Sequence, residues 1–420
     1  MRITAATAFL LTTTLMACQP ATEQPSTAAA DTPARPADAA IEPWSLPVQG
    51  DAAQPDLVAT PDGDLLLSWI SPDEDGHVLS FARHRDGQWS APHAIARGGD
   101  WFVNWADTPH ILATDDGAVW AHWLQKSAAS TYAYDVALVR SADGGASWSA
   151  PVLVNDDGTP TEHGFASLWA AGPDSIGVAW LDGRATDGGH GGPSGHGGGM
   201  MTLRTLQLGA DLSRSGETRL DASTCDCCQT DVAMAGDTPV LAYRDRTADE
   251  IRDIAATRFD GSAWSEPKPV HADGWKINAC PVNGPAVAAA GNDAVVAWFT
   301  AADDTPRVLV ARSGDAGDSF GEPVVLEQSE AVEGRVAVAM DAQQAWILWI
   351  RQDAGGQSLW LSRRSADLAT EYQRLQVATL QGRGKATGFP QIELRGDAAH
   401  IVWTDVVDGA PQLRGAIVSR

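Results

Sequence analysis

Three cysteines stand within four positions, in Ser223-Thr224-Cys225-Asp226-Cys227-Cys228-Gln229-Thr230, and a fourth follows at Cys280. The whole chain has only five. Thiolates spaced one and two apart can chelate a soft or borderline ion, and copper or zinc would be that ion. In an exported chain the same four can pair as disulfides, in three connectivities between which spacing does not choose. A vicinal Cys227–Cys228 bridge would be strained. His163 is the imidazole expected to complete a metal site. The tract from Gly188 to Met201 adds His190 and His196, in a composition that suits either metal binding or a plain flexible loop.

Other residues suit other chemistry. Arg184, Arg244, Arg246, Arg252 and Arg335 occur with Asp182, Asp245 and Asp253 around them. Such a set can clamp an anionic ligand through bidentate bonds, or pair with its own acids. Trp101, Trp105, Tyr132 and Tyr134 can stack on sugar rings or pack the ends of strands. Asn283, close to Cys280, is a further ligand-binding residue. A glycoside hydrolase would draw its two facing carboxyls from Asp107, Glu162, Asp182 and Asp245.

These residues need a scaffold, and the chain repeats one. Seven short apolar strands end in an aromatic residue, at Leu65–Trp69, Val119–Trp123, Ile176–Trp180, Val240–Tyr243, Val295–Trp298, Trp346–Trp349 and His400–Trp403. A period of 50 to 60 residues means a solenoid, propeller or array. Each copy holds four strand candidates; in the second they are His110–Ala113, Val119–Leu124, Asp135–Arg140 and Pro151–Val154. The expected fold is therefore an all-β propeller of four-stranded blades. Seven blades are favoured over six, which would follow if the third copy were degenerate. The last copy lacks a fourth strand, and Trp44-Ser45-Leu46-Pro47-Val48 resembles Trp148-Ser149-Ala150-Pro151-Val152. An N-terminal strand there would close the ring and hide both edges. Links from strand four to strand one, and from strand two to strand three, share one face. The residues singled out above, Arg335 apart, fall on them.

Ser141-Ala142-Asp143-Gly144-Gly145-Ala146-Ser147-Trp148 resembles the Asp-box of the sialidase (BNR-repeat) propellers, and Ser313-Gly314-Asp315-Ala316-Gly317-Asp318-Ser319-Phe320 is similar with Phe for Trp. The resemblance implies a sialidase-like propeller over most of residues 44–420. It does not carry the activity. That family holds the substrate carboxylate with three arginines, the first where the first inner strand begins. Gln54-Pro55-Asp56-Leu57 stands there instead.

The N-terminus resembles a lipoprotein signal. A basic start, a short apolar run and Leu15-Met16-Ala17-Cys18 predict removal of residues 1–17 and lipidation of Cys18. Residues 18–42, poor in large apolar side chains, predict a disordered tether, with the folded domain over 43–420. Gln19 resembles the outer-membrane sorting pattern, so the expected place is the cell envelope, anchored by lipid. The formal charge of −25 argues against a nucleic-acid partner. The expected function is binding of a ligand, a glycan or other small molecule, on one loop face, with or without a Cys/His-held metal. The alternatives are an exo-sialidase-like glycoside hydrolase acting on extracellular glycans, and a scaffold for protein partners in an envelope complex.

Overall fold

The computed structural model describes residues 40–186 and 199–420, so Cys18, His190 and His196 lie outside the described residues. The chain builds seven antiparallel blades. Their innermost strands are Ala53–Ala59, Ile111–Ala113, His163–Gly172, Asp231–Ala235, Ala286–Ala290, Val332–Met340 and Gln391–Arg395, which number blades 1 to 7. The third copy, with its glycine-rich insertion, is a full blade of His163–Gly172, Ser175–Asp182, Thr202–Leu208 and Arg214–Asp221. Blade 1 shares its outer position between two pieces, Gln88–Trp89 and His93–Gly98.

The seven aromatic-ended segments are the second strands, and their periodicity has a packing cause. Facing sheets leave a dry layer about 10 Å thick between blades, and alternate side chains of both sheets fill it. Trp120, Trp180, Trp298, Trp346 and Trp349 are fully buried in these layers. Between blades 6 and 7, Trp346, Leu348, Ile350, Leu359 and Leu361 meet Ile392, Ile401 and Trp403. Nearer the axis, carboxylates bridge blade to blade. Asp56 Oδ2 accepts Ile111 N at 2.7 Å, and Asp231 Oδ2 accepts Val287 N at 2.7 Å. These inner strands enclose a central cavity of about 600 Å³, lined in part by Asp56, His110, Asp231 and Glu393. Burial is the largest influence on both acids and pushes Asp231 up to about 6 and Glu393 up to about 7.

The turn at Ser141–Trp148 shows why its residues recur. Ser141 Oγ donates to Asp143 Oδ1 and accepts Gly145 N, both at 2.7 Å, while Asp143 Oδ1 also accepts Ser147 N at 2.8 Å. Gly145 has φ of 100°, and a Cβ there would lie 2.1 Å from Phe81 of blade 1. Gly317, in the second such turn, has φ of 81° and meets Val240 of blade 4 in the same way, at 2.7 Å. Each glycine thus supplies a left-handed turn and lets the turn press against the preceding blade.

The ring closes through the N-terminal segment, three residues earlier than the sequence suggests. The strand is Ile41–Pro43, paired with Ala416–Val418, rather than Trp44–Val48. It begins within the stretch expected to be tether. Trp44 ends the strand because its ring turns into the seam between blades 1 and 7, against Trp89 at 5.0 Å, His400 at 4.9 Å and His84 at 5.4 Å. Pro47, with no N–H, could not have continued the ladder. Trp44→Ala is expected to cost about 3–5 kcal/mol of stability, the usual loss for a buried tryptophan. A denaturant midpoint measured on the variant checks this, and an unchanged midpoint would mean that the seam does not hold the ring.

Candidate functional site

The cysteines converge at blade 4. The Cys225–Cys228 segment links blades 3 and 4 and is pinned by Cys225 N donating to Arg244 O at 3.0 Å and by the Thr224–Asp245 bridge. The sulfurs of Cys225 and Cys228 are 3.3 Å apart, and those of Cys225 and Cys227 are 3.9 Å apart. Tetrahedral zinc–thiolate geometry places sulfurs about 3.8 Å from each other. Cys280, on the link between blades 4 and 5, hydrogen-bonds Cys227. Backbone contact brings the two segments together. Gly284 N donates to Gln229 Oε1 at 3.0 Å, and a Cβ at Gly284 would lie 2.2 Å from Gln229 O. Cys225 and Cys228 are buried, Cys227 is half-buried and Cys280 is exposed, so the cluster opens on one side.

Arginines surround the thiols. Arg252, fully buried, directs Nη1 to Cys225 Sγ at 3.4 Å and Nη2 to Glu250 at 2.8 Å. Arg246 pairs with Asp226 at 3.1 Å and Glu250 at 2.7 Å. Burial pushes the Cys225 thiol up, but hydrogen bonds from Cys227 and Cys228 and the charges of Arg252 and Arg244 outweigh it. Cys225 is therefore held well below the usual thiol range, as a thiolate. The hydrogen bond with Cys227 likewise lowers Cys280, whereas Cys227 and Cys228 are raised.

His163 does not join them. It opens the inner strand of blade 3 and faces acids of its own: Asp157 Oδ2 at 3.0 Å and Asp182 Oδ2 at 3.9 Å from Nε2, and Asp135 Oδ1 at 3.3 Å from Nδ1. Cys225, Cys227 and Cys228 belong to the link that leaves blade 3 at its outer edge and leads into blade 4. Arg184 holds Asp182 at 2.7 Å and Asp157 at 3.5 Å, so its charge is spent on these acids.

The four acids do not face one another across a cleft. Asp182 is fully buried and also accepts Trp180 Nε1 at 2.8 Å. Asp245 lines a separate cavity with Asp221 and Glu266, where burial and the charges of Asp221 and Asp253 push it up to about 6. Asp107 and Glu162 do meet, but through Tyr134, whose hydroxyl lies 3.1 Å from Asp107 Oδ2 and 2.7 Å from Glu162 Oε1. All three are buried. Phe102 stacks on Tyr134 at 4.2 Å, and Gly164 leaves no room for a Cβ, which would lie 2.0 Å from Asp107 Oδ2. Phe165 N donates to Asp107 Oδ1 at 2.7 Å. The trio clamps blade 2 to blade 3.

The remaining expected ligand residues divide. Arg244 is buried and gives its donors to backbone carbonyls of Arg252, Asn283 and Phe299, with Trp275 beneath it at 4.9 Å. Asn283 is a bracket: its Oδ1 accepts Arg335 N at 2.8 Å and its Nδ2 donates to Glu333 O at 3.2 Å. Arg335, also buried, donates to Thr387 Oγ1 at 2.9 Å and lies 5.4 Å from the Trp105 ring. Trp101 packs against Trp123 at 5.4 Å in the layer between blades 1 and 2. Trp105, half-buried, and Tyr132, exposed, keep surface for a ligand. The sequence did not single out Gln229, Asp157, Asp135 or the Arg246–Asp226 pair, since each acts through a neighbour that only blade packing supplies.

The sequence model of the BNR repeat-like domain matches residues 63–392. No curated protein matches the chain in sequence. Many solved chains are similar in fold, among them the following three. The polysaccharide lyase Uly1 is 7% identical with TM-score 0.53, over 88% of this chain and 90% of that one. The endosialidase of phage phi92 is 10% identical with TM-score 0.50, over 91% and 69%. A protein of unknown function from Dyadobacter fermentans is 15% identical with TM-score 0.49, over 88% and 94%. At these identities the likeness extends to the fold.

Proposed function

The chain belongs to the BNR repeat-like domain family, and from that premise we propose that its irregular face binds a ligand around a soft metal ion held by Cys225, Cys227, Cys228 and Cys280. The observation that carries this reading is the meeting of three sulfurs beside a buried arginine, with Cys280 reaching Cys227 from a second link. An all-sulfur donor set selects copper(I) or zinc over hard cations. The arginines offset the negative charge that several thiolates would otherwise place in a buried site. The exposed Cys280 leaves an entry path, and a ligand could approach from that side. His163 is no part of this site. Metal analysis of the full chain, purified without an affinity tag, together with thiol counting after denaturation, tests the reading. At least one equivalent of copper or zinc is expected, with all four thiols released once the metal is removed. No stoichiometric metal, with the four cysteines in disulfides, would overturn it.

A further inference from the structure

A second cavity, of about 260 Å³, opens between blades 7 and 1 on the same face as the cysteines, and its Trp105 and Phe389 pack in one apolar cluster with Cys227. Its apolar wall is Trp105 and Phe389, which lie nearly parallel at 10° with centroids 5.8 Å apart. Its polar rim is Gln54, Thr108, Gln391 and Thr404, and no ionisable side chain lines it. Gln54 stands out by its side chain. It is 7% exposed, its Nε2 donates to Asn104 O, and its Oε1 is buried with no partner among the described residues. Its backbone is also left-handed, with φ of 57°, a conformation a glutamine rarely adopts. Phe165 and Arg335 take the same conformation at the inner-strand bulges of blades 3 and 6, so the turn belongs to the repeat and the side chain is what differs. A buried carbonyl oxygen without a donor costs roughly 1–3 kcal/mol until something donates to it.

We propose that this cavity is a subsite for one neutral sugar ring, with the ring's C–H face on Trp105 and Phe389 and a hydroxyl donating to Gln54 Oε1. The volume lies below the ~300–1,000 Å³ of pockets for larger ligands, which suits a single ring. The lining itself carries no ionisable side chain, which favours a neutral ring over a uronate, although Arg335 and Lys385 stand over the Trp105 ring at 5.4 and 5.8 Å. Hydroxyls can be met by Gln54, Thr108, Gln391 and Thr404, which offer both donors and acceptors. The subsite shares no lining residue with the thiol cluster.

Saturation-transfer NMR on the full chain tests it, with methyl glycosides of glucose, galactose, mannose, xylose and arabinose as probes and methyl glucuronide and galacturonide as acidic controls. At least one neutral glycoside is expected to bind saturably, and both uronides to bind roughly tenfold more weakly or not at all. Gln54→Gly removes the acceptor and relieves the backbone strain, so it should fold at least as well as the parent and yet lose affinity by roughly tenfold or more. Cys225→Ser should bind the sugar unchanged, which separates this subsite from the metal reading. Binding to none of the neutral probes, binding of a uronide as tight as theirs, or unaltered affinity in Gln54→Gly would each overturn the proposal and leave Gln54 with an ordered water.

Discussion

Asp107→Asn is expected to stabilise the protein increasingly as pH rises from about 4 to about 7, with less than half of the full gain present at pH 5. Three oxygens stand in a row, Asp107 Oδ2, Tyr134 Oη and Glu162 Oε1, with gaps of 3.1 and 2.7 Å. The phenol supplies one proton, and two hydrogen bonds need two. The shorter contact takes the phenol's own proton to Glu162, so the second must come from the Asp107 carboxyl. Burial is the largest influence on that carboxyl. It outweighs the Phe165 N–H bond, and the Glu162 charge adds to it, which brings Asp107 up from 3.8 to about 7. A carboxyl raised on folding contributes stability that is complete below 3.8 and is lost as pH rises through about 7. Above that, the folded protein carries a buried charge that the unfolded chain bears without cost. Asparagine reproduces the protonated acid: its NH₂ faces the phenol oxygen and its carbonyl accepts Phe165 N. The gain at pH 8.5 is bounded by the full difference between about 7 and 3.8, up to about 4 kcal/mol. Denaturant titrations at pH 5 and 8.5 measure it. Equal effects of the substitution at both pH values would mean that Asp107 is ionised throughout. Tyr134→Phe, by contrast, should destabilise at every pH, since it leaves two acids facing without a donor.

The same trio shows what could be read from the sequence and what could not. Asp107, Tyr134 and Glu162 are all recognisable as polar residues in links, and all had been assigned to ligand or substrate. Their burial follows from the way blade 2 meets blade 3, and from Gly164, whose missing side chain makes the space. No local pattern encodes that. The blades themselves were legible because each second strand needs a large aromatic residue at one fixed place in the interblade layer, and this repeats. The closing strand was displaced because Trp44-Ser45-Leu46 imitates Trp148-Ser149-Ala150, while the Trp44 ring serves the seam instead. Arg244 and Arg252 were legible as charges but not as buried ones: most of Arg244's partners are backbone carbonyls, which leave no mark on side-chain identity. The approach of Cys280 to Cys227 follows from blade order. What secures it, Gly284 against Gln229, does not. His163 was drawn to the cysteines by residue type, whereas its place at the start of an inner strand gives it to Asp157 and Asp182.

Cys225→Ser is expected to lower copper(I) or zinc affinity by more than the ~10–100-fold that loss of an outer-shell partner costs. Cys225 is the innermost of the sulfurs, within 3.9 Å of both Cys227 and Cys228, and a serine oxygen is a hard donor that a soft ion rejects. Arg252→Gln should fall within the outer-shell range, and its signature is in the pH dependence. The guanidinium at 3.4 Å helps hold Cys225 as a thiolate. Without it the thiol rises toward its ordinary range, and a metal must displace a proton to bind. The loss should therefore be larger at pH 6 than at pH 8, where more of the thiol is already ionised. Competition against a chromophoric copper(I) chelator at both pH values measures the two variants together. A role for Arg252 in packing alone predicts the same loss at pH 6 and pH 8. Unaltered affinity in Cys225→Ser would remove the deepest ligand from the site, and with it the case for a metal held between these two links.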